Sequence, residues 1–246
     1  ACDVGQGDAL VLAAGPGRGV VVDAGPDPRA VDSCLRGLGV DRVPLVVLSH
    51  LHADHVEGLP GVLRGRKVGE VQVGLYDEPA AELRRVRRWC GAVGVPVTRT
   101  RVGDRVRVGS VSWTVLWPRR VVQAGSVPNN ASTVLLVRTV GVSLLLTGDV
   151  EPEAQRALVA TAAMGPVDVL KVAHHGSADQ AGELLDAVRP KVALVSAGEG
   201  NDYGHPAPST LRALRASGAI VGRTDRDGTL LVAGSRDAIR LVVRGG

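Results

Sequence analysis

The chain has 246 residues, 45% of them hydrophobic, with a mean hydropathy of +0.14, which is apolar enough for a full core and within the length at which α/β folds form one large domain. No apolar run approaches the roughly 18 residues a membrane-spanning helix needs and no charged-then-apolar leader opens the chain, so the stretch itself is expected to be soluble. The formal net charge is +4, and its positive side is almost all arginine because the lysines are only Lys67, Lys171 and Lys191; arginine suits phosphate, but a chain rich in Ala, Val, Gly and Arg and lacking Phe also fits a GC-rich genome, so a polyanionic partner gains only weak support.

In chain order, apolar runs and amphipathic patterns alternate. Strands are predicted over residues 9–13 and 19–23, a helix over 29–38, and strands over 45–49 and 68–73. A helix over 79–93 follows, placing Leu83, Val86 and Cys90 on one face and Arg84, Arg85, Arg87 and Arg88 on the other, a solvated face that can also meet phosphates. Strands over 111–117, 133–140 and 142–147 precede a helix over 152–163; then come a strand over 167–172, a helix over 180–188, a strand over 192–196, a helix over 207–216 and a strand over 219–224. Hairpin-like pairs mixed with βα units exclude a purely parallel sheet and point to two mixed sheets face to face with helices outside, a four-layer α/β sandwich in one domain over 1–246. The chain opens at Ala1 with no initiator Met, already inside what reads as a strand, so it is expected to be a piece of a longer protein. Cys2, Cys34 and Cys90 are odd in number, widely spaced and without a Cys-x-x-Cys pair, so buried free thiols are expected, with neither a disulfide framework nor a thiolate zinc site.

Three of the six histidines fall in His50-Leu51-His52-Ala53-Asp54-His55, directly after an apolar strand. Neutral imidazoles and a carboxylate suit borderline divalent metals, and one tight loop can present His50 and His52 to one ion and Asp54 and His55 to a second. Asp149, at the end of the buried run Leu144-Leu145-Leu146-Thr147-Gly148, is the expected bridging ligand, although it can also cap the helix that follows. His174 and His175 end another apolar strand; side chains alternate on extended backbone, so one is expected to bind metal, with His174 favoured and His175 left to orient substrate. His205, in the loop Asn201-Asp202-Tyr203-Gly204-His205-Pro206, suits substrate binding or proton donation. Gly5-Gln6-Gly7-Asp8-Ala9-Leu10 lacks the third glycine of a dinucleotide fingerprint and no P-loop occurs, so no nucleotide cofactor is expected.

His50-x-His52-x-Asp54-His55, with Asp23 upstream and Asp149 and His174 downstream, resembles the metallo-β-lactamase superfamily over the whole chain. More narrowly, Asp3-Val4-Gly5-Gln6-Gly7-Asp8-Ala9, Asn129-Asn130-Ala131-Ser132, Leu146-Thr147-Gly148-Asp149, Lys171-Val172-Ala173-His174-His175-Gly176-Ser177 and Tyr203-Gly204-His205-Pro206 resemble the C-terminal domain of ComEC family competence proteins. The resemblance implies an αββα fold and two divalent ions, Mn2+ or Zn2+, held by His50, His52, Asp54, His55, Asp149 and His174. It implies hydrolysis of single- or double-stranded DNA, with His175, His205 and Lys171 joining Asp54 as catalytic side chains and Asn130, Ser132, Ser177 and Tyr203 meeting substrate. The parent it implies is a polytopic membrane protein whose channel domain takes up DNA in natural transformation, with this domain on the outer face and possible degradation of the strand not imported. No histidine lies between His55 and His174, so the third histidine usual in the superfamily's first site is missing and Asn130 and Ser132 stand in the intervening motif. Asp3, Asp8 and Asp23 are expected to brace loops through backbone hydrogen bonds rather than bind metal. Two other readings stay open: a dinuclear hydrolase of a small phosphoester, thioester or β-lactam, and a non-catalytic module that guides DNA.

Overall fold

The computed structural model describes residues 1–235 and 238–244. Its first sheet holds β1 (Leu10–Gly15), β2 (Arg18–Val22), β3 (Arg42–Val43), β4 (Val46–Leu48), β5 (Lys67–Val68), β6 (Val71–Val73) and β7 (Val97–Arg99). Only β1 runs antiparallel to its neighbour β2; the other pairings are parallel. The run expected as one strand over 68–73 is broken into β5 and β6, which pair with β3 and β4 respectively; between them a Cβ at Gly69 would meet the Pro44 carbonyl oxygen at 2.5 Å, so glycine permits the close approach there.

The second sheet runs in the order β14 (Ile220–Arg223), β13 (Val192–Val195), β12 (Val169–Lys171), β11 (Ser143–Leu146), β10 (Val134–Arg138), β9 (Val111–Trp117), β8 (Arg105–Val108), antiparallel from β8 to β11 and parallel from β11 to β14. A hairpin of β15 (Thr229–Ser235) and β16 (Ala238–Arg244) completes the strands. The short β3 and β7, together with β8 and this hairpin, lie outside the sequence-predicted elements; β8 alternates arginine and valine with only its valines half-buried, a pattern too brief to stand out.

Leu10, Leu12, Val20, Val22 and Val47 of the first sheet meet Trp113, Val115, Leu135, Val137, Leu144, Leu146, Val169 and Leu194 of the second, forming the inter-sheet core. Val21, Val46, Leu48 and Val71 face outward onto α1 (Pro28–Gly37), the short α2 (Ala53–Val56), α3 (Leu59–Leu63) and α4 (Ala80–Ala92). On the far side, beyond the one-turn α5 (Val127–Asn130), Leu145, Leu170, Ala193 and Val195 pack on α6 (Pro152–Thr161), α7 (Gly182–Val188) and α8 (Pro208–Ala216), and α9 (Thr224–Asp227) closes the chain before the hairpin. The alternation of strand side chains thus buries both faces of both sheets, which is the expected four-layer sandwich. In α4 the buried face is Leu83, Val86 and Cys90, leaving the arginines outward as their 3.6-residue period requires.

The cysteines depart from expectation. Cys2 and Cys34 form a disulfide, tying the N-terminal segment to α1, while Cys90 keeps a buried thiol. Their spacing carried no pairing signal because 32 residues separate them and only the fold brings their Cα atoms to 5.9 Å.

Candidate metal centre

Ser49 and His50 follow β4, Asp23 follows β2, Asp149 lies just past β11, and His174 and His175 lie just past β12, so strand direction gathers all of them at one end of the sandwich. This is the carboxyl end of the parallel strands, where open α/β sheets place their sites. The Thr133 N–H donates to the Ser49 carbonyl at 2.8 Å, stitching the two sheets there. Gly148 has φ +53°, and a Cβ on it would meet Ser132 Cβ at 2.8 Å and Ser49 Cβ at 3.0 Å; glycine lets the Asp149 loop fit between them.

Four side chains converge. Asp54 Oδ2 lies 3.0 Å from His175 Nε2 and 3.6 Å from His55 Nε2, and Asp149 Oδ2 lies 3.2 and 3.3 Å from the same two nitrogens. Donors held about 2.0–2.2 Å from an ion in a tetrahedron are about 3.3–3.6 Å apart, so this spacing fits a divalent cation. Hydrogen bonds assign the tautomers: His55 Nδ1 donates to Asp23 Oδ2 at 3.0 Å and His175 Nδ1 to the Ser196 carbonyl at 3.0 Å. Ser49 Oγ gives its own proton to Asp23 at 2.8 Å, so at 3.1 Å it accepts from His50 Nδ1. With Nδ1 so engaged, Nε2 is the nitrogen each of the three imidazoles would offer a cation; Nε2 of His50 and of His55 are buried without a hydrogen-bond partner, as is Asp149 Oδ1.

The electrostatics agree. Burial pushes the His55 and His175 imidazoles down, but Asp149 and the other carboxylates outweigh it and raise both well above the ordinary histidine range, so the cluster favours positive charge. Burial lifts the Asp149 and Asp54 carboxyls, and the adjacent imidazoles more than reverse that, holding both low. His50, with His55 beside it, is driven well below its usual value by burial, and His52 and His205 are lowered by the same cause.

His175, rather than the favoured His174, therefore stands in the cluster. Alternation on extended backbone does not apply, because both residues have left-handed φ, +49° and +52°, inside the 3-10 turn Ala173–Gly176. His174 turns toward His205, their ring centroids 5.4 Å apart, each with an unpartnered Nδ1. His52 packs edge-on against His50 with centroids 4.7 Å apart and is half-exposed. Asp149 does not cap α6; Glu151 stands at that position.

The expected substrate contacts separate. Asn130 is fully buried, with Nδ2 donating to the Ala124 carbonyl at 2.7 Å and Oδ1 accepting from the Glu151 N–H, so it clasps loops and does not face substrate. Ser132 is buried with Oγ accepting from the Asp149 N–H at 3.1 Å and lying 3.3 Å from His50 Nδ1; it supports the donor set from behind. Ser177 is buried too, its hydroxyl 3.4 Å from the Asp179 carbonyl. Tyr203 alone of the four is open to solvent, its ring 6.0 Å from that of His205. Lys171 is fully buried and ion-paired with Asp8, away from solvent and from any approaching substrate. Asp3 accepts the Gly5 N–H at 3.3 Å and Asp23 the Ser49 N–H at 2.7 Å, the loop bracing expected of them; Asp8 pairs with Lys171. Ser49, which sequence reading passed over, ties three members of the site together; a hydroxyl directly before His-x-His was the signal.

The family model described as the Metallo-beta-lactamase superfamily matches residues 2–199. Among curated relatives, ComE operon protein 3 of Bacillus subtilis (strain 168) is 31% identical over 250 residues, covering 93% of this chain and 32% of that protein. Competence protein ComA of Neisseria gonorrhoeae is 30% identical over 233 residues, covering 93% and 31%. The chain thus spans about a third of the length of the curated relatives it matches. Among solved structures, the metallo-beta-lactamase fold protein YhfI from Bacillus subtilis superposes with a TM-score of 0.58 at 12% identity, over 90% of this chain and 95% of that one. Zn(2+)-bound PqqB from Methylobacterium extorquens gives 0.57 at 12% identity, over 91% and 86%. At these identities the likeness is one of fold.

Proposed function

Because the chain belongs to the metallo-beta-lactamase superfamily, we propose that it is the hydrolytic domain of a DNA-uptake protein and cleaves phosphodiester bonds of DNA with two divalent ions. The observation that carries the reading is the convergence of the His55 and His175 lone pairs with the Asp54 and Asp149 carboxylates on one point. Those four would hold one ion; His50 and His52 would hold the other, with Asp149, whose Oδ1 is unpartnered, shared between them. Divalent ions bound there supply Lewis acidity, offsetting charge on non-bridging phosphate oxygens and lowering the pKa of a water toward about 7.

The chain's own residues prepare that chemistry. Asp23 and the Ser196 carbonyl hold His55 and His175 in the metal-binding tautomer, and Ser49 does the same for His50. His205 lies beside the exposed Tyr203 and packs against His174, and both imidazoles are half-buried, which suits them to bind a phosphate oxygen and support the leaving group. The likeness to a competence protein, together with the motifs that resemble the ComEC family, supports DNA as substrate and a membrane channel domain of the parent protein as partner. Among the described residues no helix is long and apolar enough to cross a membrane, and the Cys2–Cys34 disulfide fits an oxidising compartment, which supports a place on the outer face.

The test is incubation of the metal-stripped protein with end-labelled single- and double-stranded DNA plus Mn2+, Zn2+ or Mg2+, beside Asp54→Ala. Cleavage that needs both the ion and Asp54 supports the nuclease. Salt-sensitive binding without cleavage would replace it with a DNA guide, and inertness toward DNA would shift the reading to a small phosphoester, thioester or lactam.

A further inference from the structure

Below the cluster lies an ion pair that the proposed chemistry does not use. Asp8 and Lys171 both have 0% side-chain exposure; Lys171 Nζ pairs with Asp8 Oδ2 and donates to the Val172 carbonyl at 3.0 Å. Desolvation largely offsets the attraction of such a pair, so it is a poor device for stability alone. Its placement is specific. Asp8 Oδ1 lies 3.3 Å from His175 Nδ1, and Oδ2 lies 4.0 Å from His55 Nδ1. The Asp8 carboxylate thus faces Lys171 on one side and the Nδ1 edge of His175 on the other.

The loop bearing Asp8 is locked in place. Asp8 N–H donates to the Asp54 carbonyl at 3.2 Å, the Gly7 carbonyl accepts from Ser196 Oγ at 2.6 Å, and Gln6 Oε1 accepts from the Gly198 N–H at 3.0 Å. A Cβ at residue 7 would meet the Asp54 carbonyl oxygen at 2.2 Å, so glycine permits this approach.

We propose that Asp8, held by Lys171, is a positioning residue for the metal centre: its negative charge, 3.3 Å from Nδ1, reinforces the hydrogen bond that His175 Nδ1 makes to the Ser196 carbonyl and favours the proton there, leaving Nε2 to bind the ion beside Asp54 and Asp149. The proposal rests on the metal-dependent reading above. A carboxylate on the far nitrogen of a ligating imidazole fixes the ring and raises its basicity, and removing such a group weakens metal binding about 10–100-fold.

Asp8→Asn alone strands a buried ammonium, so it is combined with Lys171→Met, which restores neutrality; Asp8→Glu keeps the charge and displaces the carboxylate by one methylene. Mn2+ and Zn2+ affinities are measured by competition with a fluorescent chelator, the visible bands of the Co2+-loaded protein report ligand geometry, and circular dichroism of the metal-free proteins reports folding. The expected result is a folded double variant that binds about 10–100-fold more weakly with altered Co2+ bands. Parent affinity and unchanged bands in the folded double variant overturn the proposal; if that variant does not fold, the same result in Asp8→Glu overturns it. Asp149→Ala separates the two levels: binding lost there but intact in the Asp8 variants removes only the role of Asp8, whereas a parent chain that binds no ion removes the metal reading and this proposal with it.

Discussion

Removing the Cys2–Cys34 bridge frees the unfolded chain far more than it disturbs the folded one, and the size of the effect follows from the loop it closes. With 32 residues of sequence separation, loop-closure entropy is about 12 cal/mol/K, or about 3.7 kcal/mol at 25 °C. In a chain of 246 residues that loss lowers the melting temperature by roughly 7–15 °C. The assay compares thermal melts of the parent with and without reductant, beside a Cys2→Ser/Cys34→Ser variant that reductant should not affect. Thiol titration provides the cross-check. Burial pushes the Cys90 thiol up to about 11, so it is inert in the native protein. Native protein should show no reactive thiol, unreduced denatured protein one, and reduced denatured protein three. Three thiols without reduction, or a melt that reductant does not move, would refute the reasoning.

Asp32, on the buried face of α1, accepts from Arg66 Nη1 at 2.7 Å and is paired with Arg36. Asp32→Ala should cost about 3 kcal/mol in urea unfolding, because the Arg66 side chain is only 4% exposed and loses its counter-charge. Burial raises the Asp32 carboxyl, but the arginine hydrogen bonds outweigh it and hold it low; its contribution is therefore present above the unfolded carboxylate value of about 4 and lost as pH falls through the folded one. A stability difference between parent and variant that stays constant from neutral pH to pH ~3 contradicts this. On α4, Arg84, Arg87 and Arg88 are exposed and have no ion-pair partner among the described residues, whereas Arg85 is tied to Glu57 and Glu82. Replacing those three by alanine should flatten the dependence of log affinity for DNA on log salt by about 0.7–0.9 for each arginine that touches phosphate; an unchanged slope rules out this face as a DNA contact.

Much of the centre was legible because its parts are local: His50, His52, Asp54 and His55 occupy one turn after β4, and Asp149 ends a run of buried leucines. Periodicity also carried the layers, since both faces of each sheet are covered and the strands read as continuous apolar runs. Asn130, Ser132 and Lys171 were harder, because polarity beside a motif looks the same whether the group meets substrate or, as here, holds the frame from beneath.

By itself the sequence determined which chemistry is available and at which strand ends, because ligand types and their spacing along a strand-loop are covalent facts. Tertiary structure alone decided which groups share a point. It chose His175 over His174 through a left-handed backbone that no strand alternation anticipates, paired Cys2 with Cys34 across 32 residues, and brought Asp8, in the loop before β1, to Lys171 on β12. Those outcomes depend on how two layers dock, and docking is set by the summed packing of the inter-sheet core rather than by any residue's neighbours in sequence.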